Sequence, residues 1–268
     1  MAITTVDGAL AGMKPPEYFA KAVTGTLVAG RPMNINYLAG VPGAMTAPAS
    51  PGVGGIALTS YGGQIPIPAA SGDTHLARFS GVSSAQGGIL MLCDRLWHNN
   101  ALSVTTTTAQ TVNSVAWPAR DKNGSTNGVG VYIGLEISAA TGAGAATPTI
   151  SYTNDANVSG KTGSMQVTYA ASSITGTFYP FTLAAGDTGV RSIQTVTLGI
   201  SMTSGSISLV AYRPLATIEL TAAGLPTAID ALTSGMPRLY DTSVPFLLYI
   251  PQTTTTSLLT GSVVYTQG

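Results

Sequence analysis

The lone cysteine and one of the two histidines lie five residues apart, in the segment CDRLWHNN. Cys93, Asp94 and His98 are the residue types of a thiol nucleophile and its base, which must come within hydrogen-bond distance of each other. However, Cys93 ends the apolar run GGILMLC, where alternation along a strand turns it inward. The sequence therefore predicts that Cys93 is a small buried apolar group, that Trp97 packs in a core, and that Asp94 pairs with Arg95 at a rim.

A second candidate is the loop ARDKNGSTNG at residues 119–128, where Asp121 and Asn123 resemble the oxygen ligands of a calcium loop. An EF-hand loop requires glycine at its sixth position and a bidentate glutamate at its twelfth. Counted from Asp121, Gly124 falls at position 4 and Tyr132 at position 12, so the pattern fails. Two alternatives stay open: a looser oxygen-ligated ion, or a hairpin loop whose Asn and Gly residues supply positive φ.

Three other polar groups of residues lack a complete motif. The segment SGKTG contains the Gly-Lys-Thr of a phosphate loop, but Asp155 stands where that motif needs its first glycine and would repel a phosphate. In GDTGVRS, the sequence predicts a structural ion pair between Asp187 and Arg191. A glycosidase needs two carboxylates at a defined separation, which the sequence does not give for Asp241 and Glu136, the acids beside aromatic residues. No catalytic, cofactor-binding or metal-binding residue is therefore assigned, and the chain is predicted not to be an enzyme.

The composition limits the partners of this 268-residue chain. Only 8% of its residues are charged, and eleven basic residues balance eleven acidic ones, so much of the surface is predicted to be covered in an assembly. The basic residues are scattered, which argues against nucleic acid as a ligand, and no apolar run approaches the length of a membrane span. One cysteine excludes an internal disulfide. Because the start lacks a basic secretory segment, the sequence predicts assembly in a reducing cytoplasm.

The first 75 residues differ from the rest of the chain. PPEYFAKAV (15–23) predicts a short helix, with proline in the first turn and Glu17 near the positive end of the helix dipole. The segment 40–55 is rich in proline and glycine and predicts an extended arm or a long loop. The expected organisation is an N-terminal arm at residues 1–75 followed by a β-sandwich domain at residues 76–268.

From residue 76 onward the pattern predicts strands. In GVGVYIGLEIS the valines, Ile133 and Leu135 fall on one face, whereas Glu136 falls on the opposite, solvent-facing side. TVTLGISMT and SISLVAYR, separated by Ser204-Gly205, predict a two-residue hairpin. PTAIDALTSG predicts a short helix that stops at Gly235. Further strands are predicted at 88–93, 101–108, 147–153, 164–170, 176–183, 245–251 and 258–266. The predicted fold is all-β, an antiparallel β-sandwich or jelly roll with an extended N-terminal arm and one or two short helices.

Six segments resemble, in the same order, a family of tailed-bacteriophage virion structural proteins. They are AGMKPPEYFAKAV, ALTSYGGQIPIPAA, CDRLWHNN, PARDKNG, GDTGVRSIQTV and ALTSGMPRLYD. The resemblance spans nearly the full length and implies a structural role in the particle, without a catalytic motif to transfer. It does not indicate whether the protein belongs to the head, the collar or the tail.

Three functions follow as hypotheses. The first is a capsid-associated decoration or cement protein in the virion, which binds other virion proteins, the major capsid protein above all, and self-associates. The second is a receptor- or glycan-binding protein of the tail or a head fibre, since eleven tyrosines and two tryptophans could stack on sugars. The third, a virion-borne hydrolase, would need two titratable groups in one cleft near His75, His98 or the acids. Because lysines are too scarce to protect open strand edges, a closed trimer is expected, with a dimer next.

Overall fold

The computed structural model describes residues 3–24, 27–49 and 51–268. Its elements follow one another along the chain as α1 Val6–Ala11, β1 Glu17–Val23, β2 Met33–Asn34, a 3₁₀ helix Ile35–Tyr37, β3 Gly40–Val41, β4 Ile56–Ala57, β5 Thr74–Ser83, β6 Gly88–His98, β7 Ala109–Thr111, β8 Tyr132–Ala139, β9 Thr149–Asn154, β10 Lys161–Ser164, β11 Phe178–Pro180, β12 Val190–Thr197, β13 Ser206–Leu220, β14 Thr227–Asp230, α2 Ala231–Ser234, β15 Arg238–Leu239, β16 Pro245–Pro251 and β17 Ser257–Gln267. The strands of the described residues pair in antiparallel register. The predicted all-β class with two short helices is confirmed.

The chain divides into two compact units, each built from separate stretches. Unit 1 comprises Met1–Met45, Thr59–Asp94 and Pro214–Gly268, and unit 2 comprises Thr46–Leu58 and Arg95–Arg213. The divisions therefore fall inside β6 and inside β13, whereas the sequence placed a domain boundary after residue 75.

Unit 1 contains a sheet that we call the terminal sheet, because it holds β1 and β17. Its strand order is β14-β5-β17-β1-β3, and β15 also pairs with β5. One face is buried, where Phe19, Phe79 and Val263 are fully covered. A Cβ added to Gly81 on this face would meet the side chains of Ile218 and Leu90 at 3.1 Å. These two residues belong to the second layer, which contains β13, β6, β16 and β2, so unit 1 is a two-layer sandwich.

The helix predicted at residues 15–23 is wrong, because this segment forms the interior strand β1. All seven of its residues pair with β17, from Glu17 opposite Val263 to Val23 opposite Ser257. Its side chains alternate, with Phe19 and Val23 buried and Tyr18 exposed. The i,i+4 spacing of the same apolar residues suited a helix equally well, and long-range pairing decided between the two. The helix in this region is α1, which begins after the N-cap Thr5.

Lys21 is the fully buried charged residue of β1, and backbone oxygens solvate its ammonium group. Nζ donates to the carbonyl oxygens of Leu38 at 3.1 Å, Pro42 at 2.6 Å and Gly43 at 3.4 Å. Burial lowers the pKa of Lys21 to about 8, since removal from water disfavours the charged form. Three carbonyl acceptors match the three N–H donors of a lysine, which explains why the strand tolerates lysine at a fully buried position.

Unit 2 has its own apolar core between two sheets. One sheet has the order β10-β9-β12-β7, and in the other β8 lies between β11 and β13. The core contains both tryptophans, Trp97 and Trp117, which are 0% and 1% exposed and lie in contact with ring centroids 5.2 Å apart and ring planes tilted by 56°. Each indole N–H has a backbone acceptor, the carbonyl of Gly54 for Trp97 and that of Val190 for Trp117. The prediction that Trp97 packs in a core is confirmed.

The predicted hairpin around Ser204-Gly205 does not form. β12 pairs with β9 and β7, whereas β13 pairs with β8, so the connection joins two different sheets. Positive φ values at Gly199, Thr203 and Gly205 turn the chain between them. Alternation placed Leu198 and Met202 correctly in the interior, but it also placed Ile200 there, which is 52% exposed, and it does not specify which strands pair.

The strand predicted at 101–108, which contains the tract of four threonines at 105–108, does not form. Ser103 Oγ accepts the backbone N–H of Thr106 at 3.1 Å, and the Gln110 side chain bonds both backbone groups of Ser103. Such local side-chain bonds compete with strand pairing. The tract at 253–256 also lies outside the strands, between β16 and β17.

The predicted stop at Gly235 is confirmed, although the helix before it is short. Gly235 has φ 68°, and Asp230 caps α2 with bonds to the backbone N–H groups of Leu232 and Thr233. Residues Thr227–Asp230, which belonged to the predicted helix, form β14 instead. Neither described helix is long and apolar enough to cross a membrane.

Short strands protect the edges of these sheets. The edge strands β14 and β3 of the terminal sheet have four and two residues, and β10 and β7 in unit 2 have four and three. Short edge strands offer few unpaired backbone groups to another chain. The lysine-poor edges are therefore blunted by their length.

Candidate functional site

Cys93 and His98 both lie in β6, and the surroundings of each make it chemically inert. Cys93 is fully buried, and burial together with the charge of Asp94 raises the pKa of its thiol. A buried thiol with a raised pKa supplies no thiolate near neutral pH. The interpretation of Cys93 as a small buried apolar group agrees with this position.

His98 belongs to a buried polar network in unit 2. Arg95 forms a bidentate ion pair with Glu136 at 2.8 and 2.7 Å, and its Nε donates to His98 Nδ1 at 3.1 Å. Both side chains of the ion pair are fully buried. Burial, and then the adjacent Arg95 charge, lower the pKa of His98 to about 2. His98 is therefore neutral at physiological pH, with Nδ1 occupied as an acceptor, and is too weak a base to activate a nucleophile.

A second buried arginine fastens the same network to the backbone. Arg120 is fully buried and donates to the carbonyl oxygens of Leu58 at 2.5 Å and Arg95 at 2.8 Å. The sequence placed Glu136 on a solvent-facing side and Asp94 and Arg95 at a rim, and both expectations are wrong, since all three are 0% exposed. This network has a structural role in unit 2, because buried charges persist only when paired and hydrogen-bonded.

Asp121 organises the loop that resembled a calcium site. Its two carboxylate oxygens accept the backbone N–H groups of Asn123, Ser125 and Val129 and the hydroxyl of Ser125, at 2.8–3.0 Å. These bonds outweigh burial and lower the pKa of the Asp121 carboxyl. Glycines at positions 124 and 128 have φ 75° and 83°. Donors of the loop itself thus occupy the carboxylate, as expected for a structural loop.

Asp187 pairs with residues other than the one predicted. It accepts the hydroxyl of Tyr152 at 2.6 Å and the side-chain amide of Asn154 at 2.7 Å, and Lys161 Nζ lies 3.6 Å away. The ion pair with Arg191 is not formed. Because Lys161 is the lysine of SGKTG, the phosphate-loop fragment and Asp187 belong to one structural cluster on β9, β10 and the loop before β12.

The other titratable candidates are isolated. His75 is partly exposed in β5 and Asp241 is exposed in a turn. No group of three or more His, Cys, Asp or Glu side chains in residues 3–24, 27–49 and 51–268 could hold a metal ion.

The exposed surface of unit 1 carries two depressions. The first is an apolar groove of about 570 Å³ between α1 and α2, lined among others by Val6, Leu10, Met13 and Leu232. These four side chains are 72%, 63%, 44% and 89% exposed. Neither helix has a buried residue, so the groove is an apolar surface without a cover in the described chain.

The second depression, of about 420 Å³, lies on the outer side of the terminal sheet. Apart from Arg78 at one end, the side chains there are uncharged, and we call this surface the open face, defined by Tyr18, Ser80, Val82, Ala228, Thr260 and Ser262. Sequence reasoning missed this surface, because it assigned β1 to a helix and so lost the strand that carries Tyr18.

No protein-family model and no curated protein sequence matches this chain. Among solved structures, the infectious bursal disease virus VP2 subviral particle matches 96% of this chain and 81% of its own, with 11% identity and a TM-score of 0.20. The infectious bursal disease virus Gt strain structure matches 93% of this chain and 64% of its own, with 14% identity and a TM-score of 0.13. Both TM-scores are too low for either superposition to carry an argument.

Proposed function

We propose that this protein is a non-enzymatic structural component of a virus particle, a decoration or cement protein that stabilises the shell by contacts with the major capsid protein and with its own copies. The resemblance to tailed-bacteriophage virion proteins indicates this class. The buried charges support it, because Arg95, Glu136, Arg120 and Lys21 all serve the interior. The surface left for partners is poor in charge and partly apolar, as expected of a subunit that works by packing.

The groove between α1 and α2 is the observation that carries the proposal. An isolated helix of six residues is not stable in water, and α1 places Val6 and Leu10 in solvent. Contiguous exposed apolar surface of this kind marks protein–protein contact sites. We infer that the shell protein covers the groove, and that repetition over many sites makes weak contacts strong.

The experiment compares binding of wild type and Leu10→Asp to particles assembled without this protein, measured by co-sedimentation and by the temperature at which the particles release their nucleic acid. Wild type is expected to bind and to raise that temperature, and Leu10→Asp to bind at least about tenfold more weakly. Val158→Asp is the matched control, since Val158 is 49% exposed in a turn of unit 2. Equal binding of Leu10→Asp and wild type would contradict the proposed contact.

A truncation that tests the groove must remove α1 and stop before β1. Deletion of residues 1–50 would remove β1 from the interior of the terminal sheet and unfold unit 1 whatever its function. Deletion of residues 1–12 removes α1 and leaves β1 intact, so its effect on particle binding can be interpreted.

The receptor- or glycan-binding alternative has less support. Both tryptophans are in the core of unit 2 and are closed to a sugar ring. Saturable binding of the purified protein on a glycan array would nevertheless establish this alternative in place of the cement role.

A further inference from the structure

The open face combines a depression and a protruding aromatic side chain on the same surface. Gly81 and Gly261 are paired across β5 and β17 and form part of the depression. On their inner side Phe19 packs so closely over Gly261 that no Cβ fits. Ser80 and Ser262 flank the glycine pair, with their hydroxyl oxygens 3.0 Å apart. The backbone of the glycine pair thus forms part of the floor of the depression, and the two serine hydroxyls beside it are already bonded to each other.

Tyr18 stands at the side of this depression and is 54% exposed. It lies on β1, opposite Ser262 of β17, while Ala228 of β14 lies opposite Ser80 of β5. The side chains in this row therefore increase in size across the four strands, from alanine through two serines to tyrosine. The volume of about 420 Å³ is within the range of pockets that hold small ligands and leaves room for one aromatic ring.

We propose that the open face packs against the open face of a second copy of this chain about a twofold axis, so that Tyr18 of each copy enters the depression of the other. A surface that carries both the protruding group and the cavity that fits it is self-complementary, which an isologous contact requires. Sheets packed face to face lie about 10 Å apart, a separation that small side chains on the floor and a tyrosine from the opposite sheet fill together.

Charges at one end of the open face favour the same partner. Arg78 is exposed and makes no hydrogen bond or ion pair within the described residues, and it lies opposite Asp230, also exposed. A second copy brings one cation and one anion at the same position, so it can match either charge without leaving a net charge in the contact. An unrelated partner would need to supply that pairing separately.

The area of the contact predicts its strength. Three strands over six residues and β14 over its four residues, about 4.8 Å apart, present roughly 350 Å² per copy, less than half of what a standard interface contributes. The dimer is therefore weak and reversible at micromolar concentration, in the range of transient contacts. This contact deepens the self-association in the proposed function, on which it rests. It also favours a dimer over the trimer predicted from strand edges, because those edges are short.

The experiment is sedimentation velocity of the full chain from about 5 to 200 µM, which spans the range of a weak contact. Wild type is expected to shift reversibly from monomer to dimer. Tyr18→Glu brings a carboxylate into the partner's depression and Ser262→Glu places one on its floor, where the partner's tyrosine must enter, and both are expected to weaken the dimer at least about 30-fold. Tyr18→Phe keeps the ring and should associate like wild type. Val158→Glu, in unit 2, is the matched control and should also do so.

Several results would overturn the proposal: a monomer at every concentration, or a folded glutamate variant of either position that dimerises within about threefold of wild type. Equal weakening by Val158→Glu would show nonspecific association instead and would also overturn it. Circular dichroism establishes that a variant is folded. Glutamate is introduced at two positions, because one folded variant is enough to test the contact if the other does not fold. Leu10→Asp separates this contact from particle binding, since it should lose the shell and keep the dimer.

Discussion

Removing the charge of Glu136 is expected to be among the most damaging single substitutions in unit 2. In Glu136→Gln the side chain keeps its shape but loses its charge, which removes the carboxylate that pairs with the fully buried guanidinium of Arg95. Two charge-assisted hydrogen bonds, at 2.8 and 2.7 Å, are each weakened from about 1.5–3 kcal/mol toward the value of neutral bonds. Breaking a buried pair from one side typically costs about 3–5 kcal/mol.

The two neighbours of Arg95 described above carry no negative charge. His98 offers Arg95 a single neutral acceptor, and the cationic Arg120 donates to the Arg95 backbone carbonyl. The expected loss of 3–5 kcal/mol corresponds to a fall of the melting temperature by roughly 10–20 °C for a unit of this size.

Thermal and urea unfolding, followed by tryptophan fluorescence, measures this loss, because Trp97 and Trp117 both lie in the core of unit 2. The double variant Arg95→Met with Glu136→Leu removes both charges, and we expect it to recover at least half of the stability. Lys161→Met is the control for a partly exposed pair and should cost less than about 1 kcal/mol. If Glu136→Gln unfolds within about 1 kcal/mol of wild type, the network is not buried as described.

Three other predictions concern unit 2. The pKa of His98 falls from 6.5 to about 2 on folding, so below pH 6.5 the unfolded chain binds a proton that the folded chain does not. The free energy of unfolding should therefore drop by about 1.4 kcal/mol per pH unit below pH 6.5. His98→Gln should flatten that slope between pH 6.5 and 5. Millimolar calcium should leave the melting temperature unchanged, because four donors already occupy the Asp121 carboxylate; a rise of several degrees would instead reveal a bound ion. Gly134→Ala should cost about 1–3 kcal/mol by overpacking, since its Cβ would overlap the ring of Phe178, and Phe178→Leu should restore part of that loss in urea titrations.

One apolar strand was predicted correctly from the sequence, whereas of the strand predicted at 164–170 only Ser164 belongs to a strand, at the end of β10. The strand at 245–251 is apolar throughout and flanked by prolines, and β16 has the same bounds. The segment 15–23 supports two interpretations, because its apolar spacing suits a helix and its alternation suits a strand. Pairing with β17, more than 230 residues away along the chain, selected the strand, and no local pattern contains that information.

The buried network could be predicted only in part. The apolar residues around Arg95 indicated burial, but its partner Glu136 lies 41 residues further along the chain and appeared on the polar side of an alternating strand. The ring of Phe178, on the neighbouring strand β11, lies over Gly134 on that side, and β8 is buried on both faces. The open face depends on register in the same way, since its residues come from four strands that only the fold brings side by side.

The carbonyl cage around Lys21 makes this residue a natural reporter of breathing in unit 1. The protein has only four lysines, and the amine of Lys21 is closed to solvent while Lys122 is exposed. An amine-reactive reagent can modify Lys21 only during moments when β1 and the segment 38–43 separate. Its acylation rate relative to Lys122, read by mass spectrometry, therefore measures how often the terminal sheet opens, without any engineered label.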